Sequence, residues 1–220
     1  MTKSKDFVFK EIDNKLVFVG DFEGFYQATS DPWDQSAQST MSDYYNASRE
    51  RLCALLKSLN SIDSVIEVGC GLGYVTNFLS GKLPDTTVDG CDISSTAIKR
   101  AKTSFPHLRF TQIDISAPDF KEKNGPAQYD VVVLNQLLWY ILEDLNRVME
   151  NVGHLLTPQG FLIVSNAFAR EQRYGREIID HFDGAAKFFR DLSTFELLQA
   201  NYYNENFEHD DGHFLLQIKR

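Results

Sequence analysis

Val65-Ile66-Glu67-Val68-Gly69-Cys70-Gly71-Leu72-Gly73-Tyr74-Val75-Thr76 is an apolar run that ends in three glycines at alternate positions and passes straight into an amphipathic segment. A strand, a glycine-rich turn and a helix in that order let backbone approach a ligand closely, because glycine has no Cβ to collide with it. The first amides of the following helix are expected to aim unpaired N–H groups at the same space. A nucleotide-like ligand suits such a turn. The dinucleotide fingerprint G-x-G-x-x-G/A needs a small third residue where the helix packs on the strand. Gly69 and Gly71 fit, but Tyr74 fills the small position, and the glycines read G-x-G-x-G with an acid, Glu67, two residues before the first.

The next segments extend the pattern. Thr86-Thr87-Val88-Asp89-Gly90-Cys91-Asp92 reads as a second strand ending in an acid about twenty residues beyond the loop, where a carboxylate accepts hydrogen bonds from ribose hydroxyls. Asp92 also suits a helix cap, and Ser94 and Ser95 are N-cap candidates for a helix through Ser104. Phe110-Thr111-Gln112-Ile113-Asp114-Ile115 reads as a third strand with an acid near its end, and Tyr129–Asn135 as a fourth.

These residues resemble the motifs of class I S-adenosylmethionine (SAM) dependent methyltransferases. The resemblance implies an α/β, Rossmann-like fold with a seven-stranded mixed sheet, order 3-2-1-4-5-7-6, and an antiparallel C-terminal hairpin. It also implies SAM as cofactor and S-adenosylhomocysteine (SAH) as product. Gly69, Cys70, Gly71 and Gly73 would lie against the methionine part, Asp92 and Ile93 at the ribose, Asp114 and Ile115 at the adenine, and Asn135 facing the reacting centre. Further upstream, Asp31-Pro32-Trp33, Tyr45, Arg49 and Glu67-Val68-Gly69-Cys70 resemble the nodulation N-methyltransferase group. By that resemblance Trp33, Tyr45 and Glu67 belong to the cofactor site, Trp33 and Arg49 close over the cofactor, and Arg49 pairs with its carboxylate. A buried aromatic staple and a solvated helix arginine are the alternatives for Trp33 and Arg49.

The alternation of strands and helices from Ser64 to about Asn166 predicts a parallel sheet covered on both faces. Helices are expected over Tyr44–Leu59, Tyr74–Leu83, Ser95–Ser104 and Glu143–Leu156, and a fifth strand over Phe161–Ser165. Ser193-Thr194-Phe195-Glu196 has the form of a capping box and predicts a helix through about Ala200. Two β-like runs, Tyr202–His209 and His213–Lys219, flank Asp210-Asp211-Gly212 and predict a terminal hairpin turning there. The 220 residues read as a single methyltransferase domain, with residues 1–60 as an N-terminal cap carrying a short hairpin. Residues 167–192 form an insertion near the substrate site.

Twenty-two basic and 31 acidic residues give a net charge of −9. That balance argues against nucleic-acid or anionic-membrane surfaces. No membrane-length apolar run or signal peptide is visible, so a cytoplasmic protein is expected. Cys53, Cys70 and Cys91 lack zinc spacing and read as reduced thiols. His209 and His213 stand beside acids at a spacing open to a metal, but a solvated hairpin turn accounts for them. No metal is expected. His154 reads as structural.

The expected activity is methylation of a small molecule, foremost the nitrogen of an amino sugar or another small primary amine. O-methylation of a sugar or related metabolite is the alternative, and a non-catalytic SAM-binding adaptor the reading from another class. Tyr140, just past the fourth strand, is the candidate to orient the nucleophile, and His181, between Asp180 and Asp183, to accept its proton.

Overall fold

The computed structural model describes residues 4–35, 41–125, 129–204 and 209–219. Phe9–Ile12 (β1) and Lys15–Phe18 (β2) pair as a separate hairpin around Asp13 and Asn14, both at positive φ. Such a tight turn favours residues whose short polar side chains tolerate the left-handed region. Two helices follow, Phe22–Ala28 (α1) and Ser42–Ser58 (α2).

The main sheet is built from Ser64–Val68 (β3), Thr87–Asp92 (β4), Arg109–Gln112 (β5), Tyr129–Asn135 (β6), Leu156–Ala169 (β7), Phe195–Tyr203 (β8) and His209–Ile218 (β9). Its order is β5-β4-β3-β6-β7-β9-β8, with β9 antiparallel to both β7 and β8. Counted along this sheet, the order is the expected 3-2-1-4-5-7-6. The crossovers are Tyr74–Lys82 (α3), Ser95–Ser104 (α4), Phe120–Asn124 (α5) and Leu145–Leu155 (α6), and His181–Asp191 (α7) precedes β8.

The central strands are apolar on both faces because both are covered. Val65, Val131, Val133, Ile163 and Leu215 pack beneath α2 and α3. Ile66, Val132, Leu134, Leu162 and Phe214 face the opposite layer with α6 and α7. Each fully buried side chain of this kind contributes about 1.5–3 kcal/mol. Among the described residues no helix is long and apolar enough to cross a membrane.

The C-terminal third departs from expectation. Phe195-Glu196-Leu197-Leu198 opens strand β8 rather than a helix, and the helix lies earlier, over His181–Asp191. Asp210-Asp211-Gly212 is no turn. It runs inside β9, opposite Phe168, Ala167 and Asn166 of β7. The chain reverses between Tyr203 and His209, and residues 205–208 of that connection lie outside the described residues. His213 is therefore fully buried, not solvated.

Candidate active site

The carboxyl-terminal edge of the sheet and the N-terminal segment enclose a cavity of about 800 Å³. This is where open α/β sheets bind ligands, and the volume lies in the range of small-molecule sites.

Its floor begins with the glycine loop. Gly69, Gly71 and Gly73 all adopt positive φ, between +53° and +82°. A Cβ on Gly69 would come within 2.8 Å of Leu137 Cδ1, and one on Gly71 within 2.4 Å of the Tyr26 hydroxyl. Four of the loop's own amides are already engaged. Gly69 and Cys70 N–H donate to Cys91 O, Gly73 N–H to Cys70 O, and Gly71 N–H to Asp92 Oδ2 at 2.9 Å. The loop therefore offers close approach rather than a nest of free donors.

Asp92 ends β4 in the cavity wall. Its Oδ1 accepts from Ser94 N–H at 2.8 Å, which holds the carboxylate in one orientation. Burial raises its pKa, and the amides of Ser94 and Gly71 oppose that rise. Each carboxylate oxygen keeps acceptor capacity for a further donor. Ser94 itself caps α4 by accepting from Ala97 N–H. Ile93, Asp114 and Ile115 continue this wall, and Asn135 at the end of β6 lines the middle of the cavity.

Glu67 is buried in β3 and accepts a 2.6 Å hydrogen bond from Thr76 Oγ1. Burial pushes its pKa up to about 7 against the opposing influences of Thr76 and the Arg49 charge. Arg49 on α2 lies behind the lining, over the Tyr45 ring at 5.6 Å. Its Nε and Nη2 are buried without a hydrogen-bond partner among the described residues. An orphaned guanidinium costs free energy unless something else supplies an acceptor. A ligand carboxylate fits that need.

The N-terminal segment forms the roof. Trp33 Nε1 donates to the Tyr26 hydroxyl at 2.9 Å, and Tyr45 OH donates to Trp33 O at 3.0 Å. Trp33 packs against Tyr140, with ring centroids 5.2 Å apart, and Phe9 and Phe22 meet the same tyrosine. Burial drives the Tyr140 phenol far above its ordinary pKa, so it is a hydrogen-bonding group and not a base.

Of the residues singled out from sequence, the cavity brings together Trp33, Tyr45, Glu67, Gly69, Cys70, Gly71, Asp92, Ile93, Asp114, Ile115, Asn135 and Tyr140. Gly73 sits one step back as the N-cap of α3. His181 is not brought there. It opens α7 with Nδ1 on Asp180 Oδ1 at 2.7 Å, outside the cavity lining. His154 is held against Gly125 O, also away from the cavity. Gln136, Trp139 and Phe9 belong to none of the site motifs, and His209 is expected at a solvated turn, yet all four line the cavity. For His209 a signal existed in the alternation His209, Asp211, His213 along one strand face.

Residues 66–162 match the methyltransferase domain family. That match runs from β3 into β7, through the glycine loop, Asp92 and Asn135. A malonyl-[acyl-carrier protein] O-methyltransferase of Halalkalibacterium halodurans is 32% identical to this chain over 130 residues, covering 56% of this chain and 45% of that protein. The chain spans less than half the length of the curated relatives it matches. In fold, the chain resembles the N-methyltransferase NodS from Bradyrhizobium japonicum WM9 in complex with SAH. The TM-score is 0.68 at 16% identity, over 90% of this chain and 98% of that one. It also resembles the magnesium protoporphyrin IX methyltransferase of Synechocystis PCC 6803 with bound SAM. Here the TM-score is 0.64 at 18% identity, over 90% and 92%.

Proposed function

We propose that this methyltransferase uses SAM to methylate the nitrogen of a small primary amine, amino sugars included. The observation that carries the reading is the charge of the cavity. Asp6, Glu11, Asp34, Asp92 and Asp114 line it, and no lysine or arginine does so among the described residues. Acidic walls of low dielectric concentrate cations. The aromatic roof of Trp33, Tyr45 and Tyr140 adds faces on which an ammonium group or a sugar ring packs.

SAM, when bound, supplies an already activated methyl group. The chain's part is then to hold and align both reactants and to exclude water. Arg49 takes the amino-acid carboxylate of SAM, the Gly69–Gly73 loop receives its methionine portion, and Asp92 accepts from the ribose hydroxyls. Asp114 and Ile115 meet the adenine, and Tyr140 orients the nucleophile. The acidic walls suit the positive sulfonium as well as a cationic acceptor.

The test is a SAM-turnover screen of glucosamine, benzylamine, ethanolamine, phosphoethanolamine and a nucleotide-linked amino sugar, with mass spectrometry of each product. Methylation of the uncharged-backbone amines above the phosphorylated ones is expected. Methyl found only on oxygen rejects the amine reading and favours O-methylation, the reading supported by curated relatives named O-methyltransferases. SAH binding with no turnover across amines and hydroxyls favours a non-catalytic SAM-binding protein.

A further inference from the structure

The cofactor assignments occupy one half of the cavity lining. Gly69, Asp92, Asp114 and Ile115 follow the ends of β3, β4 and β5. The other half comes from the segment after β6, from β7 and β9, and from the N-terminal hairpin. An acceptor held beside SAM must lie against that second half.

The hairpin turns one face to it. Phe9 stands opposite Phe18, and Glu11 opposite Leu16, so these four share a face. Phe9, Glu11 and Leu16 line the cavity, whereas Ile12 and Val17 on the other face are exposed. The Phe9 ring lies 6.0 Å from that of Tyr140, 5.0 Å from Tyr174 and 5.4 Å from Phe18. Trp139 and Ile141, on either side of Tyr140 in sequence, line the same space. Trp139 is fixed from behind, its ring 5.4 Å from Phe168.

The polar side chains of this half are turned on the protein itself. Trp139 Nε1 donates to Ala167 O at 2.7 Å. Gln136 accepts from Ala167 N–H at 2.8 Å and donates to Tyr44 OH at 3.1 Å. Tyr44 OH donates to the buried Asp211 Oδ1 at 3.3 Å, and His209 stands edge-on to the Tyr44 ring at 6.4 Å. Glu11 is at the exposed rim, where it accepts from Arg173 Nη2 at 3.1 Å. Such a wall offers ring faces freely and hydrogen-bond partners sparingly. A sugar brings several hydroxyls, and each one buried without a partner costs about fivefold or more in affinity. A flat hydrocarbon carries no such penalty and gains from the rings around it.

We infer that this half receives the acceptor amine on an aromatic frame, as an arylalkylamine of the benzylamine kind, and that Phe9 selects for that frame. The inference rests on the amine reading above and narrows it away from sugars. The amine end faces SAM beside Asn135 and Tyr140, and the ring lies against Phe9, Leu16 and Trp139. The acids of the cavity draw the cation in without surrounding its frame.

Calorimetry on the SAH complex of the full chain compares benzylamine and benzyl alcohol with glucosamine and glucose. Benzyl against sugar reads the frame and amine against hydroxyl reads the reacting group, so the two readings fail separately. Each benzyl compound is expected to bind at least about 30-fold tighter than the sugar with the same reacting group. Sugars that bind as tightly as the benzyl compounds overturn the inference. Benzyl alcohol bound and methylated in preference to benzylamine overturns the amine reading instead. Phe9→Ala is expected to weaken benzylamine binding about 10-fold and SAH binding less than about twofold, and Phe9→Leu, which keeps apolar volume, to recover part of the loss. Equal losses for benzylamine and SAH make Phe9 a packing residue of the cap and overturn its selecting role, as does unchanged benzylamine binding in Phe9→Ala.

Discussion

Glu23 Oε2 accepts a 2.6 Å hydrogen bond from Ser94 Oγ, which ties α1 to the residue that caps α4 two positions beyond Asp92. Thr96 adds its backbone N–H and its hydroxyl, and Ser95 its hydroxyl, to the same carboxylate. An anion at the start of a helix also meets the positive end of its dipole. One side chain thus fastens the roof of the cavity to the wall assigned to the ribose.

These bonds, from Ser94 foremost and then Thr96, hold the Glu23 carboxyl down to about 2. A depressed acid stabilises the fold above its unfolded pKa and loses that contribution as pH falls through the folded one. The excess stability of the parent chain over Glu23→Gln should be present above about pH 4.5 and disappear toward pH 2. Thermal melts of both proteins across that range measure it. A stopped-flow experiment with SAH should also show faster release from the variant, because the roof is less firmly latched.

Glu67 carries the opposite sign. Burial raises its carboxyl from 4.5 to about 7, so the folded chain holds a proton that the unfolded chain has lost. Stability should therefore fall as pH rises from about 4.5 to 7, by a few kcal/mol in all. Denaturant titrations at several pH values should show that slope in the parent and a flatter one in Glu67→Gln. An equal slope in both would assign the effect elsewhere.

Arg49 separates stability from binding. Its buried, unpartnered nitrogens penalise the fold, so Arg49→Met should melt at the parent temperature or above it. SAH affinity should fall by about 1.5–3 kcal/mol, the worth of a charged hydrogen bond. Melting followed by calorimetry tests both halves, and a lower melting temperature with intact binding would make the arginine structural.

The fold was readable where local pattern and tertiary setting agree. The β3 run, the glycines and Asp92 answer to one requirement, a strand edge open to a ligand, and each sits at the expected end of its element. β8 was not readable. Phe195–Tyr203 is rich in helix-compatible residues, and it is an edge strand interrupted by a register shift between Leu197 and Gln199, which erases the two-residue period. Its partner β9 supplies the conformation that local propensity does not. Gly212 misled for another reason. It adjoins Asp211 as in a turn, but the glycine is there because a Cβ would approach Phe168 Cε2 to 2.5 Å. Asp211 is tolerated in a buried strand because Ser48, Arg51 and His213 satisfy it, Tyr202 donates to Asp210 Oδ2, and no sequence pattern announces partners so far away.

Asp92 has two duties that a mutant can distinguish. Its carboxylate orders the loop through Gly71 N–H and the α4 start through Ser94 N–H. Asp92→Ala should weaken SAH binding by about 1.5–3 kcal/mol, since charge-assisted hydrogen bonds are lost. Asp92→Asn keeps an oxygen acceptor and should retain the melting temperature better while still losing affinity. Calorimetry on the pair, beside their melts, apportions the ligand and structural shares.

Tyr140 is held between Trp33, Phe9 and Phe22, and burial keeps its phenol protonated across the working pH range. Its hydroxyl can then orient a nucleophile but not deprotonate it. Tyr140→Phe preserves the ring packing and removes one neutral hydrogen bond of about 1 kcal/mol, so kcat/KM should fall by roughly 3–10-fold. The shape of the pH–rate profile should not move, because no titrating group is lost. Steady-state kinetics from about pH 6 to 9 on both proteins checks the two statements together. A displaced limb of the profile would make Tyr140 a proton-transfer group.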